Sequence, residues 1–334
     1  MNRFGNKVAV TIFGESHGPA VGVVLDGVKP GIALSEADFA ADLARRQGGA
    51  PGTTPRKEAD RPEILSGVYE GHTTGAPLAM IFRNENTRSG DYDLFRAMPR
   101  PGHADYVASL KYDGCNDPRG GGHFSGRLTL PLVAAGVVAR KMLPCKVSAA
   151  VVELGGSADP AAWPAMLEEV SREGDSLGGI VECRVSDVPA GLGEPFFDSV
   201  ESLLSHMLFA IPGVRGVEFG DGFAAARLRG SEHNDPLTPV SSSSFPARPG
   251  ISLRPVTDHA GGINGGITNG GDIVFRVAFK PTSSIRKAQQ TWNIAENRPD
   301  SLVCPGRHDA CIALRGAVVV EAATALVLAD LINP

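Results

Sequence analysis

Eight histidines occur in the sequence, and five of them (His17, His103, His123, His259 and His308) fall in glycine- or arginine-rich stretches without hydrophobic periodicity. A histidine that merely packs a core sits inside a helix or strand. This skew points to imidazoles used as acids, bases or cations, because imidazole titrates near neutral pH. Cations collect in the same stretches: Arg45, Arg46, Arg56, Lys57, Arg100, Arg119, Arg127, Arg254, Arg286 and Arg307. Glycine lets backbone N–H groups approach an anion, and a guanidinium fork grips it at two points. Any one of these arginines is as well explained by a solvated surface. As a set, interleaved with His and Gly, they favour a small, multiply anionic ligand over a polymer.

Two shorter patterns bear on chemistry. Gly14-Glu15-Ser16-His17-Gly18 matches the G-x-S-x-G nucleophile elbow of serine hydrolases, which needs a strand, a strained turn and then a helix. The segment that follows, Ala20-Val21-Gly22-Val23-Val24-Leu25, is β-branched and reads as strand, so a hydrolase using Ser16 stands only as an alternative. Lys280-Pro281-Thr282-Ser283-Ser284 sets a lysine beside three hydroxyls, a run that can hold phosphate or form a polar turn. No Walker loop and no G-x-G-x-x-G between strand and helix is present. No histidine pair has i, i+4 spacing, so no metal is expected.

The elements that must position these residues can be read from periodicity. Residues 8–13 and 20–25 read as strands around the loop 14–19. Ser35-Glu36-Ala37-Asp38 has capping-box character and opens a helix through Phe39 and Leu43 to about Arg46. Residues 64–69 and 77–82 look like a paired hairpin, 147–154, 178–188 and 272–280 like strands, and 214–219 with 223–228 like a β pair across Gly220-Asp221-Gly222. Helices are expected at 130–143, from Asp159-Pro160 to 173, at 197–210 and at 318–332. Residues 84–124 are too rich in Gly, Pro, Asp and Asn for a helix, and an irregular segment that long is more often functional than idle. The order is not a regular βαβα alternation, and no linker divides it. The expectation is an α+β fold in layers, one domain over 1–334.

Composition narrows the class. The chain has 334 residues, a net charge of −5, 41 Gly, 25 Pro and five Cys. It can bury a core without staples. It has no basic surplus for a nucleic-acid backbone and no apolar run long enough for a membrane span. The odd cysteine count without a C-x-x-C pair suggests reduced thiols and a cytoplasmic setting, with Cys145 and Cys183 as core residues.

Seven ordered motifs carry a resemblance over nearly the whole chain. They are Phe13-Gly14-Glu15-Ser16-His17-Gly18, Arg100-Pro101-Gly102-His103-Ala104-Asp105-Tyr106, Arg119-Gly120-Gly121-Gly122, Gly216-Val217-Glu218-Phe219-Gly220-Asp221-Gly222-Phe223, Gly261-Gly262-Ile263-Asn264-Gly265-Gly266, Lys280-Pro281-Thr282-Ser283-Ser284-Ile285 and Gly306-Arg307-His308-Asp309-Ala310-Cys311. The sequence resembles the chorismate synthase family.

The resemblance implies β-α-β sandwich subunits in a homotetramer using reduced FMN. It also implies trans 1,4-elimination of phosphate from 5-enolpyruvylshikimate 3-phosphate to give chorismate, in the shikimate pathway of aromatic amino acid biosynthesis. By position, His17 resembles the donor to the leaving phosphate, with Ser16 beside it. His103 resembles the group balancing charge at the flavin N1 side, and Asp309 the carboxylate that assists proton removal. Arg46, Arg100 and Arg127 resemble substrate-anion contacts. His123, Phe124, Ser125, Pro212, Gly213, Gly265, Lys280, Pro281, Thr282, Ser283, Ser284 and Arg307 match flavin-lining positions.

The chain departs from the family's Arg-Ser-Ser-Ala-Arg-Glu-Thr with His123-Phe124-Ser125-Gly126-Arg127-Leu128-Thr129, where His123 becomes the substitute cation. It also lacks the second loop arginine within 47–54. With no flavin-reducing domain appended, an external reductase would reduce the FMN, NADPH serving at most as indirect reductant. A non-catalytic flavin-binding homologue is the remaining alternative.

Overall fold

The computed structural model describes residues 1–55, 58–85, 94–240, 252–306 and 308–333; Arg56, Lys57 and Arg307 lie outside the described residues. Two antiparallel sheets enclose a layer of helices. The first runs, edge to edge, Arg3–Phe4, Ala9–Gly14, Ala20–Asp26, Leu78–Arg83 and Glu63–Ser66. The second runs Val214–Phe219, Ile273–Phe279, Gly179–Ser186 and Lys146–Leu154. Strict alternation sets the faces: Ile273–Phe279 buries every second residue, as a strand with one face on a core must.

The Thr129–Arg140 helix packs on the first sheet, the Ala313–Ile332 helix packs on the second, and the two pack on each other. Both are apolar almost all round, as helices covered on several sides require. A Cβ at Gly136 would stand 2.3 Å from the Ala322 Cβ, so glycine is what permits this close approach. One hydrophobic cluster extends from Val21 and Met80 in the first sheet to Val181 and Phe275 in the second.

Two carboxylates on the last helix are buried but satisfied. Glu321 accepts from Arg45 at 2.6 and 2.8 Å and from the Ala149 N–H at 2.8 Å. Asp330 accepts from the Asn6, Lys7 and Val8 N–H groups at 3.0, 2.6 and 2.8 Å, pinning the entry to the Ala9–Gly14 strand. Buried charge is tolerated because each oxygen has donors.

The α+β layering is as expected, and several elements are corrected. Residues 214–219 pair with Ile273–Phe279 and not with 223–228, which form the 3-10 helix Gly222–Arg227. Half of that segment is alanine, and it lacks the β-branched side chains a strand edge would use. The 84–124 region holds short helices at Leu94–Ala97 and Asp105–Lys111, with 86–93 outside the described residues. The helix expected from Asp159 begins at Trp163, because Asp159 Oδ1 accepts from the Ala161 N–H in a local turn. The helix expected from 197 begins at Val200, where the Ser199 side chain caps it. The last helix starts earlier, at Ala313. The hairpins Gln289–Asn293 with Arg298–Leu302 and Leu237–Val240 with Ser252–Pro255 were not read from the sequence. Cys145, Cys183, Cys304 and Cys311 are buried and free, and Cys115 is exposed. Among the described residues no helix is long and apolar enough to cross a membrane.

Candidate active site

The loop that leaves the Ala9–Gly14 strand carries Ser16 and His17, and the Arg119–Phe124 turn folds over it. Gly120, Gly121 and Gly122 all have positive φ (62, 82 and 54°). A Cβ at Gly120 would lie 2.5 Å from His17 Cδ2 and 2.7 Å from Ser16 Oγ, so the turn needs glycine for both its dihedral and its closeness. The Ser16 N–H donates to the Gly122 carbonyl at 3.1 Å, locking the two loops together. Ser16 reaches the wall of a cleft of about 790 Å³, while His17 packs behind Gly120. No helix follows this turn: the next element is the Ala20–Asp26 strand. The elbow geometry of a serine hydrolase is therefore not formed.

Opposite, the Arg-Pro-Gly-His loop is bonded to the Lys-Pro-Thr-Ser-Ser loop almost 180 residues away in sequence. Lys280 Nζ donates to the Gly102 carbonyl at 3.1 Å and to Ser283 Oγ at 2.5 Å. Ser283 Oγ donates to the same carbonyl at 2.7 Å, and Arg100 Nη1 donates to Ser284 Oγ at 3.0 Å. Burial and the neighbouring Arg215 hold Lys280 below the usual ammonium range. The Thr282 hydroxyl is buried with no hydrogen-bond partner among the described residues, a donor that could serve a ligand.

His103 lines the same cleft, and its Nδ1 lies 2.6 Å from Asp105 Oδ1. Burial alone would raise Asp105, but hydrogen bonds from Arg100 and His103 outweigh it and hold this carboxyl well below the usual range.

The third wall is an ion-pair network. Arg46 donates from Nε to Thr129 Oγ1 and from Nη2 to the Gly126 carbonyl, both at 2.9 Å. Burial, with the Arg315 and Arg127 charges adding and Asp60 and Asp309 opposing, pulls Arg46 well below the usual guanidinium range. Arg127 pairs with Glu58 at 3.0 Å and with Asp60, and its Nε donates to Asn84 Oδ1 at 3.0 Å. Asp309 accepts from Arg315 Nη2 at 2.5 Å and from the Thr54 N–H at 2.9 Å. Burial keeps His308 below the usual imidazole range.

The structure thus brings Ser16, His103, Asp309, Arg46, Arg100, Arg127, His123, Phe124, Ser125, Pro212, Gly213 and residues 280–284 to one cleft. Gly265 is not brought there. It lies in the turn between Ile263–Asn264 and Ile267–Thr268, beside Gly266, whose missing Cβ faces Ser199. Arg307 lies outside the described residues. Arg100 and Arg127, read as substrate contacts, direct much of their donor capacity onto the protein's own groups. His123 donates from Nδ1 to the Gly14 carbonyl at 2.8 Å; a carbonyl can only accept, so Nδ1 carries the proton.

Sequence reading missed Arg315, Glu58, Asp60 and Asp105. Only Asp105 had a local signal, an acid two residues after a loop histidine. Among the described residues the cleft wall carries seven Arg and Lys side chains against three carboxylates, on a chain of net charge −5. Such a cleft selects anions.

An α+β sandwich whose inter-loop cleft joins imidazole, carboxylate and this cation excess defines an enzyme-type site for a small anionic molecule. The comparisons make this particular. The chorismate synthase family model matches residues 8–332. A chorismate synthase of Chitinophaga pinensis is 54% identical over 332 residues, covering 99% of this chain and 96% of that one. One from Korarchaeum cryptofilum is 46% identical, covering 98% and 96%. A crystal structure of a chorismate synthase superposes with a TM-score of 0.74 at 26% identity, covering 98% of this chain and 92% of that one. The chain belongs to the chorismate synthase family, carbon–oxygen lyases that eliminate phosphate and depend on a flavin.

Proposed function

We propose that this chain converts 5-enolpyruvylshikimate 3-phosphate to chorismate by trans 1,4-elimination, with reduced FMN as its flavin. The observation that carries the reading is the single cleft in which His103, Asp309 and the 280–284 loop meet under a cationic excess. The residues present fit a flavin phosphate. Thr282 offers a buried hydroxyl without a partner among the described residues, and Lys280 and Arg215 offer charge at the same wall. The chemistry a bound reduced flavin supplies is transient electron density for the allylic system as phosphate departs.

The chain's own residues do the rest. Arg46 and Arg127 on one wall, with Arg100 on another, set a field for the substrate's carboxylate and phosphate. Ser16, on the cleft wall, would stabilise the leaving phosphate, and His17, packed behind Gly120, would act on it through the Ser16 loop. His103 holds a proton at the flavin side, and Asp309, oriented by Arg315 and the Thr54 N–H, assists removal of the substrate proton. His123, Phe124, Ser125, Pro212 and Gly213 line the flavin side, and Gly265 and Arg307 join them by the family resemblance alone.

We further propose a single domain over 1–334, supported by a hydrophobic cluster that spans both sheets, and a homotetramer in the cytoplasm. An external reductase would supply electrons, NADPH acting only indirectly. In an anaerobic assay with reduced FMN, His103→Ala should lose ~10²-fold or more in rate with the fold intact. A near wild-type rate refutes the His103 role. Labelling of Ser16 by a serine-directed reagent, with no flavin dependence, supports the hydrolase reading. Flavin retention without turnover by the unmodified chain supports the binding homologue.

A further inference from the structure

We infer that Asp105, clamped by Arg100, is a positioning residue that fixes the His103 imidazole with its proton on Nδ1 and its Nε2 unprotonated on the opposite edge, beside the glycine turn. The inference rests on His103 as the proton-holding group proposed above. One carboxylate here receives four donors. Asp105 Oδ2 accepts from the Arg100 N–H at 3.1 Å and from Arg100 Nε at 2.7 Å; Oδ1 accepts from Arg100 Nη2 at 2.7 Å and faces His103 Nδ1 at 2.6 Å.

A ring nitrogen cannot sit 2.6 Å from a carboxylate oxygen lone pair to lone pair, so Nδ1 carries the proton between them. Arg100 Nη2, 3.1 Å from Nδ1, is then a second donor converging on the same oxygen and not a donor to the ring. The opposite edge of the ring lies over the glycine turn. A Cβ on Gly121 would approach His103 Cε1 and Nε2 at 3.4 Å. The clamp is itself fixed: Arg100 is buried, stacked 4.4 Å from the Phe95 ring and bonded to Ser284. Arg100 thus reaches the chemistry through Asp105.

An amide cannot replace this carboxylate quietly. At the Oδ2 site the NH2 of an asparagine would face two Arg100 donors. At the Oδ1 site it would lose Arg100 Nη2 and donate to Nδ1, moving the ring proton to Nε2. The change in tautomer parallels the known cost of an amide in place of the orienting aspartate of a serine protease triad.

The test combines spectroscopy and kinetics on the full chain. Nitrogen-edited NMR of the neutral imidazoles, with His103 assigned by difference against His103→Gln, should show the Nδ1–H tautomer in wild type. It should show a shift to Nε2–H in Asp105→Asn and recovery in Asp105→Glu. In turnover with reduced FMN, Asp105→Asn should lose ~10- to 10²-fold in kcat with KM within about twofold, and Asp105→Glu should regain part of it.

Placed on His103→Ala, Asp105→Asn should cost less than about twofold more, since a residue acting through another is silent once that partner is gone. An Nε2–H ring in the wild type overturns the inference without any variant. Equal losses in both backgrounds overturn it too, showing a merely structural brace. If His103→Ala runs at wild-type rate, the proton-holding role of His103 fails, while the wild-type tautomer still decides the role of Asp105.

Discussion

Gly120→Ala is the sharpest perturbation this cleft offers. The backbone there has φ +62°, and the added methyl would stand 2.5 Å from His17 Cδ2, 2.7 Å from His17 Nε2 and 2.7 Å from Ser16 Oγ. Holding a non-glycine residue in the left-handed region costs about 1–2 kcal/mol, and forcing a methyl into a packed site adds about 1–3 kcal/mol. A destabilisation of roughly 2–5 kcal/mol follows from these two terms if the loop stays in place.

If the loop yields, Ser16 and His17 move by about an ångström, a misplacement that costs ~10²-fold in rate. The assay is a urea midpoint together with phosphate release under reduced FMN. Gly126→Ala is the control, with nothing within 4 Å of its Cβ, and should change either quantity by little. If Gly120→Ala matches wild type in both midpoint and kcat, the packing of the glycine turn on the Ser16–His17 loop is refuted.

Other consequences are as direct. Arg315→Ala leaves the Asp309 carboxylate without its guanidinium partner and removes one cleft cation; kcat/KM should fall by ~10- to 10²-fold, with Arg315→Lys milder, and a loss under about threefold would contradict the pairing. Asp330→Ala strips the acceptor from the Asn6, Lys7 and Val8 N–H groups and should cost about 1–3 kcal/mol or more in urea unfolding, whereas an unchanged midpoint would show that these donors find water. Asp105 is depressed in the folded state, so as pH falls the unfolded chain takes its proton first and stability drops with pH. The difference in urea midpoint between wild type and Asp105→Asn should therefore narrow from about pH 5 to pH 3, and a gap that widens would reverse the sign of the argument. A thiol reagent should titrate Cys115 rapidly in the native chain and all five cysteines only after denaturation; rapid native reaction of Cys183, whose thiol burial pushes up to about 12, would contradict its place in the core.

What could be read from the residues alone follows a physical division. Period-2 alternation in 273–279, the capping spacing at Ser35 and Asp38 and the apolar last helix are local signals, and the elements form there. The 119–122 run stood out only as a family motif within a long irregular segment, and its packing on the Ser16–His17 loop came from the fold. Ion-pair partners were not legible. Arg127 looked like an anion contact because Glu58 and Asp60, which engage it, lie nearly 70 residues earlier and meet it only through the fold. The clamp of Arg100 on Asp105 was missed for the opposite reason. The carboxylate is five residues away, but the short Asp105–Lys111 helix that aims it was read as irregular chain. The supposed 214–228 hairpin failed because Ile273–Phe279 supplied a better-matched partner strand than the alanine-rich 3-10 segment.

The account stands on one cleft doing one elimination with a flavin present. A single anaerobic turnover with 5-enolpyruvylshikimate 3-phosphate, run with and without reduced FMN, measures this directly. The expected result is phosphate and chorismate formed one to one with the flavin and neither without it. Phosphate released at the same rate in its absence, or released without chorismate, would contradict the account.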